Sequence, residues 1–248
     1  MSHHHPHSTS HPRVASAAAS ARRTRGRNRA RLLLARAFAI TALGAVAFAG
    51  GCNILGPAIY LIEGPPRTPA AHEIADRPTV VFFDDRKNLI SRFELRSIAG
   101  DQAAKTLLTA KVVTTTISSR DALNLVRKQE TEKNLMPIDS IGRAVGAEQI
   151  IYVKMIVFVL SPDGVTPRPF AGCEVRLIDC VEKIKLFPID DSEQGRYVEA
   201  TLDQVDLELY RSLSGQRQIE DELARELGIA VAKLFFEHET NELGGNLR

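Results

Sequence analysis

The chain has 248 residues, 44% of them apolar and 25% charged, a globular composition of one or two domains that excludes collagen-like, wholly disordered and polytopic membrane classes. The formal charge of +2 conceals an asymmetry: residues 1–51 hold eight arginines and no acid, and the rest carries 24 basic and 30 acidic residues, a net −6. A mature chain of that sign has no long-range attraction for nucleic acid, which is not expected as a partner.

Arg22, Arg23, Arg25, Arg27, Arg29, Arg31 and Arg36 precede an uncharged stretch, residues 37–49, the basic-then-apolar order of a secretory signal. The stretch closes on Ala49, Gly50, Gly51 and Cys52: small side chains that can thread a peptidase, then a thiol able to carry a diacylglyceryl group. This resembles a bacterial lipobox, with Ala49 in place of the usual leucine and a long arm before it. Cleavage between Gly51 and Cys52 and fatty-acid attachment at Cys52 are the expectation, and a retained anchor over residues 37–62 is the alternative. Either way the arginines stay inside and the following domain faces the periplasm. The histidines His3, His4, His5, His7 and His11 fall in the segment expected to be removed.

Residues 52–78 contain Pro57, Pro65, Pro66, Pro69 and Pro78, which fix the backbone and remove donors, so a disordered tether with few contacts to the domain is expected. An α/β domain is expected over residues 79–238. It opens with a strand over residues 79–83 ending at Asp84, Asp85 and Arg86, then a helix over residues 91–110 with Leu95, Ala99, Ala103 and Leu107 at steps of four. Val112 to Ile117 favours a second strand. Ser118 with Asp121 at capping-box spacing starts a helix whose charged end, residues 127–133, reads as a solvated face. Pro137 opens a short helix that Gly146 ends.

Residues 150–160 are apolar on both alternating sets, apart from Lys154, so this strand should lie inside the sheet. Residues 173–179 and 183–187 read as a hairpin, residues 188–195 as a variable loop, and residues 216–238 as an amphipathic helix packed on the sheet. Residues 239–248 read as a disordered tail. The sum is an α/β (α+β) domain with a single mixed sheet of about four to five strands and packing helices, preceded by a signal peptide (residues 1–51) and the tether. Cys173 and Cys180, seven steps apart on an extended chain, would be separated by roughly 23 Å, beyond the ~7 Å a disulfide tolerates, so both are expected as free thiols.

The element order, together with the run from Ile141 to Tyr152 (Ile-Gly-Arg-Ala-Val-Gly-Ala-Glu-Gln-Ile-Ile-Tyr), resembles a group of bacterial envelope lipoproteins. That group includes the curli-secretion lipoprotein CsgG, the outer-membrane lipoprotein activators of peptidoglycan synthases and the N-terminal domain of TolB. Val80 to Asp84 looks like their opening strand, whereas Val153-Lys154 stands where they commonly place glycine. The resemblance implies a non-enzymatic, periplasm-facing lipoprotein that docks on another envelope protein; of the two membranes, the outer is favoured over the inner as the seat of the anchor. A curli-type pore needs two long spanning hairpins, and the insertions at residues 161–170 and 188–195 are too short for strands of about ten residues.

Catalytic signatures are sparse. The mature chain holds two histidines, His72 and His238, and no nucleophile elbow or phosphate loop. The best polar cluster is Asp84, Asp85 and Arg86 at the carboxyl end of the first strand, where α/β sheets place ligands. It can be a cation or partner site, or a solvated loop whose Asp caps the next helix. The leading expectation is an adaptor, regulator or assembly factor without cofactor, metal or catalytic residue. The alternatives are a periplasmic hydrolase or cation-binding protein using Asp84 and Asp85, or a homo-oligomeric subunit of an export complex.

Overall fold

The run Thr79–Asp84 has a β-branched or aromatic side chain at every position but the last, and all six residues are buried. Only a strand covered on both faces suits such a run, and a computed structural model places it next to the middle of a sheet. The structure describes residues 66–131, 134–190 and 193–240. In chain order these form β1 (Arg67–Thr68), β2 (Thr79–Asp84), α1 (Glu94–Thr109), β3 (Thr116–Ile117), α2 (Ser119–Gln129) and α3 (Ile138–Ala144). There follow β4 (Gln149–Val159), β5 (Phe170–Asp179), β6 (Ile184–Phe187), β7 (Arg196–Thr201), α4 (Leu207–Arg211), α5 (Leu213–Lys233) and β8 (His238–Glu239).

The main sheet has six strands, ordered β3-β2-β4-β5-β6, with β7 also paired to β5. β2 runs parallel to β3 and β4, while the β4, β5, β6 and β7 pairings are antiparallel. β4 is interior, as its two apolar faces require: Ile151, Val153 and Met155 enter one core, Ile150 and Tyr152 the other. Lys154, the interruption, pairs across the strands with Glu174 at 3.2 Å. The sheet exceeds the expected strand number because β7 lies between the loop expected at residues 188–195 and the helix expected from residue 216, in a stretch to which the sequence reading assigns no element. Its Val198 and Ala200 point inward while Tyr197 and Glu199 do not, the alternation of a strand with one covered face.

α1 and α5 cover one face, and α2 and α3 the other. The α1–α5 crossing is built from small residues. Ala99, Ala103, Ala224 and Ala232 are buried there, and a Cβ on Gly228 would lie 2.3 Å from the Ala99 carbonyl oxygen. Ile219, Leu223, Leu227 and Val231 give α5 its buried stripe, and the Ser212 hydroxyl accepts from Gly215 N–H at 3.0 Å, starting the helix three residues earlier than its periodicity suggests. Ser118 makes no side-chain cap: its carbonyl, not its hydroxyl, accepts from Asp121 N–H. Gly146 takes φ +84° after α3, the left-handed geometry expected of it.

The tether expectation fails for residues 66–78. Prolines stop a helix there, but they do not stop docking. β1 pairs with β8, so Glu239 and Thr240 are also ordered against the domain rather than part of a tail. Ala71 and His72 N–H donate to Leu234 O, Ile74 packs on the core, and Asp76 accepts from Thr114. The Gln149 amide nitrogen donates to Ala75 O at 2.7 Å, and Arg77 pairs with Asp179 at 2.9 Å. The signal segment, Gly51, Cys52, the alternative anchor over residues 37–62, the tether before residue 66 and the tail from residue 241 lie outside the described residues. Among the described residues no helix is long and apolar enough to cross a membrane.

Cys173 and Cys180 are free and buried, in the two separate cores on opposite sheet faces. Burial, with a smaller contribution from the Asp139 and Asp179 charges, pushes the Cys180 thiol up to about 11, and burial raises Cys173 further still. Both behave as small apolar side chains.

Candidate functional site

β2 delivers Asp84 at its carboxyl end, in register with Lys154 of β4. The loop that follows is not solvated at its acids: Asp84 is 6% exposed and Asp85 5%. Asp85 accepts from the backbone N–H groups of Leu89 (2.8 Å) and Ile90 (2.9 Å), fixing the loop ahead of α1 rather than capping the helix itself. Asp84 accepts from the Tyr152 hydroxyl at 2.6 Å and pairs with Arg86 at 3.0 Å. Arg86 also reaches Glu130 at 2.8 Å, and the same carboxylate oxygen accepts from Met136 N–H at 2.9 Å.

Asp84, Arg86, Glu130 and Tyr152 thus form one connected polar network. Burial works against the Arg86 charge, but the hydrogen bond to Glu130 and the charges of Asp84 and Glu130 outweigh it and hold its pKa above the ordinary value. Burial, then the hydrogen bond and charge of Asp84, raise the Tyr152 phenol, so it stays protonated and donating. Tyr152 carries Arg176 over its ring at 4.8 Å and lies 6.3 Å from the Phe82 ring. Chemically the network joins β2, the β2–α1 loop, the segment after α2 and β4.

The three residues singled out in the sequence are therefore brought together, and each is engaged within the protein. Sequence reasoning missed Glu130, which falls in the charged stretch taken for a solvated face; its side chain is only 10% exposed. It also missed Tyr152, although a lone phenol in an apolar strand needs a partner and could have pointed to it. Phe93, Arg96 and Arg127 gave no signal, because they become neighbours only when α1 and α2 pack. An open cavity of about 470 Å³ lies elsewhere, lined by Ile74, Lys111, Val112 and Phe235 among others, with neither Asp84 nor Asp85 in its wall. Among the described residues no group of three or more His, Cys, Asp or Glu could hold a metal ion.

The chain matches no protein-family model and no curated protein. Similar solved structures include the PelC dodecamer from Paraburkholderia phytofirmans, 14% identical, with TM-score 0.38 over 69% of this chain and 97% of that one. The hypothetical protein CT253 from Chlamydia trachomatis is 14% identical, with TM-score 0.34 over 62% and 98% of the two chains. Lipoprotein GNA1162 from Neisseria meningitidis is 11% identical, with TM-score 0.34 over 57% and 97%. Likeness at that level carries no functional argument.

Proposed function

We propose that the protein is an exported bacterial lipoprotein, anchored through Cys52, whose periplasm-facing α/β domain is a non-catalytic adaptor, regulator or assembly factor for another envelope protein. The observation that carries this reading is the sequence order of arginines, apolar core, Ala49-Gly50-Gly51 and Cys52. The engagement of Asp84 and Asp85 within the domain supports a binding role over a hydrolytic one, because a general base or a cation ligand must offer free lone pairs to its substrate.

One acyl chain holds a protein to a membrane only marginally, whereas several chains, at about 0.8 kcal/mol per buried CH₂, hold it stably. Cys52→Ser is expected to abolish fatty-acid labelling and leave uncleaved precursor. Labelling that survives the substitution would place the anchor elsewhere, and membrane retention without any label in the unmutated protein would favour an uncleaved signal. Crosslinking in native envelopes is expected to trap the anchored chain with a distinct envelope protein. Saturable calcium or magnesium binding in calorimetry, lost on Asp84→Asn with Asp85→Asn, would instead support the cation-binding alternative.

A further inference from the structure

Arg77, Arg86, Arg92, Arg143, Arg211 and Arg225 each have an acidic partner. Arg96 and Arg127 have none among the described residues, yet they converge. Arg96 comes from the first turn of α1 and Arg127 from the last turn of α2, and their guanidinium carbons lie 4.5 and 5.6 Å from the centroid of the same ring, Phe93. The Arg96 Nε is shut away from solvent without a hydrogen-bond partner. Burial lowers the Arg96 pKa, against the opposing charges of Asp85 and Asp84, so the cation is partly desolvated and poorly compensated. A ring face offsets part of that cost, but it leaves the N–H donors of the guanidinium unspent.

We propose that Arg96, Arg127 and Phe93 form a receptor for a carboxylate side chain on an acidic segment of the partner protein, an inference that rests on the adaptor reading above. Guanidinium forks match the planar carboxylate, and the Phe93 ring offers apolar surface to the methylenes of a glutamate. The neighbouring Asp84, Asp85 and Glu130 disfavour a phosphate dianion. The net −6 beyond residue 51 likewise disfavours a broad anionic lipid surface. A single negative charge, delivered on a peptide, is what the patch accommodates.

The test uses the full-length protein in nonionic detergent and a rhodamine-labelled peptide of five Glu-Gly repeats, read by fluorescence anisotropy, with the Gln-Gly peptide as control. Saturable binding is expected, weaker by roughly tenfold or more for the Gln peptide and for Arg96→Gln with Arg127→Gln, and falling with salt. Arg96→Lys, which keeps the charge but loses the fork, should recover only part of it. Urea midpoints check folding; should the double variant unfold, the exposed Arg127→Gln alone carries the test. Equal binding of the two peptides, or no effect of the substitutions, overturns the proposal. So does displacement of the peptide by inorganic phosphate or phosphatidylglycerol vesicles at lower concentration than by free glutamate. Envelope crosslinking that persists in the arginine variants sinks the receptor and leaves the adaptor reading standing; peptide binding without any crosslinked envelope protein sinks the adaptor reading alone.

Discussion

Tyr152 decides how firmly Asp84 is held. Its hydroxyl makes the 2.6 Å bond to a carboxylate that is nearly closed off from water, and a hydrogen bond to a charged group contributes about 1.5–3 kcal/mol. Tyr152→Phe should therefore lower stability by about 2 kcal/mol in urea titration while leaving the packing of the ring intact. An unchanged midpoint would mean that Arg86 alone satisfies Asp84. Sequence reading reached Asp84, Asp85 and Arg86 because they close an apolar strand, a local signal. It could not reach Glu130, 44 residues beyond Arg86, since a charged side chain on a helix end reads the same whether it faces water or a guanidinium from a distant loop.

Helices and strands were legible where periodicity was long and strict. α5 and β4 were visible in their apolar spacing, whereas β7 was hidden because only two of its six residues enter the core. The close α1–α5 crossing gives an opposed pair of effects. Alanine at Gly228 gains about 1 kcal/mol of helix propensity, but its Cβ would press on the backbone carbonyl of Ala99, and overpacking of that kind costs about 1–3 kcal/mol. Gly228→Ala is expected to destabilise, by about 1 kcal/mol net, in chemical denaturation.

The docked segment 66–78 carries its own pH dependence. Burial, partly offset by Glu73, lowers the His72 pKa below its usual 6.5, so below that pH the unfolded or undocked chain binds more protons and acid favours release. Asp179 acts in the same direction at lower pH. Burial alone would raise it, but the Glu182 and Val181 amides and Arg77 outweigh burial and depress its pKa, so its contribution is present above the ordinary Asp range and lost as pH falls. Hydrogen-exchange protection factors of the Ala71 and His72 amides should fall between pH 7 and about 5, and His72→Phe, which keeps a ring beside Phe187, should remove most of that fall.

At the scale of the whole molecule, the boundary of the domain is set by packing rather than by composition. Proline content placed it at residue 79, yet Ile74, Asp76 and Arg77 belong to the folded unit. A chain beginning at residue 79 would leave the Gln149 amide nitrogen without Ala75 O and Asp179 without Arg77. It should unfold at distinctly lower urea than one beginning at residue 66. The pairing of β1 with β8 has a topological corollary. Thr240 N–H donates to Pro66 O at 2.8 Å, so the path of the domain from residue 66 to residue 240 closes on itself. Residue 240 could be spliced to residue 66 through a few glycines and the ring reopened at the exposed Asp163–Gly164 turn, and the permuted protein should keep the circular-dichroism spectrum and urea midpoint of the parent. A passenger fused after residue 240 would, for the same reason, be held beside β1, at the point where the chain enters the domain.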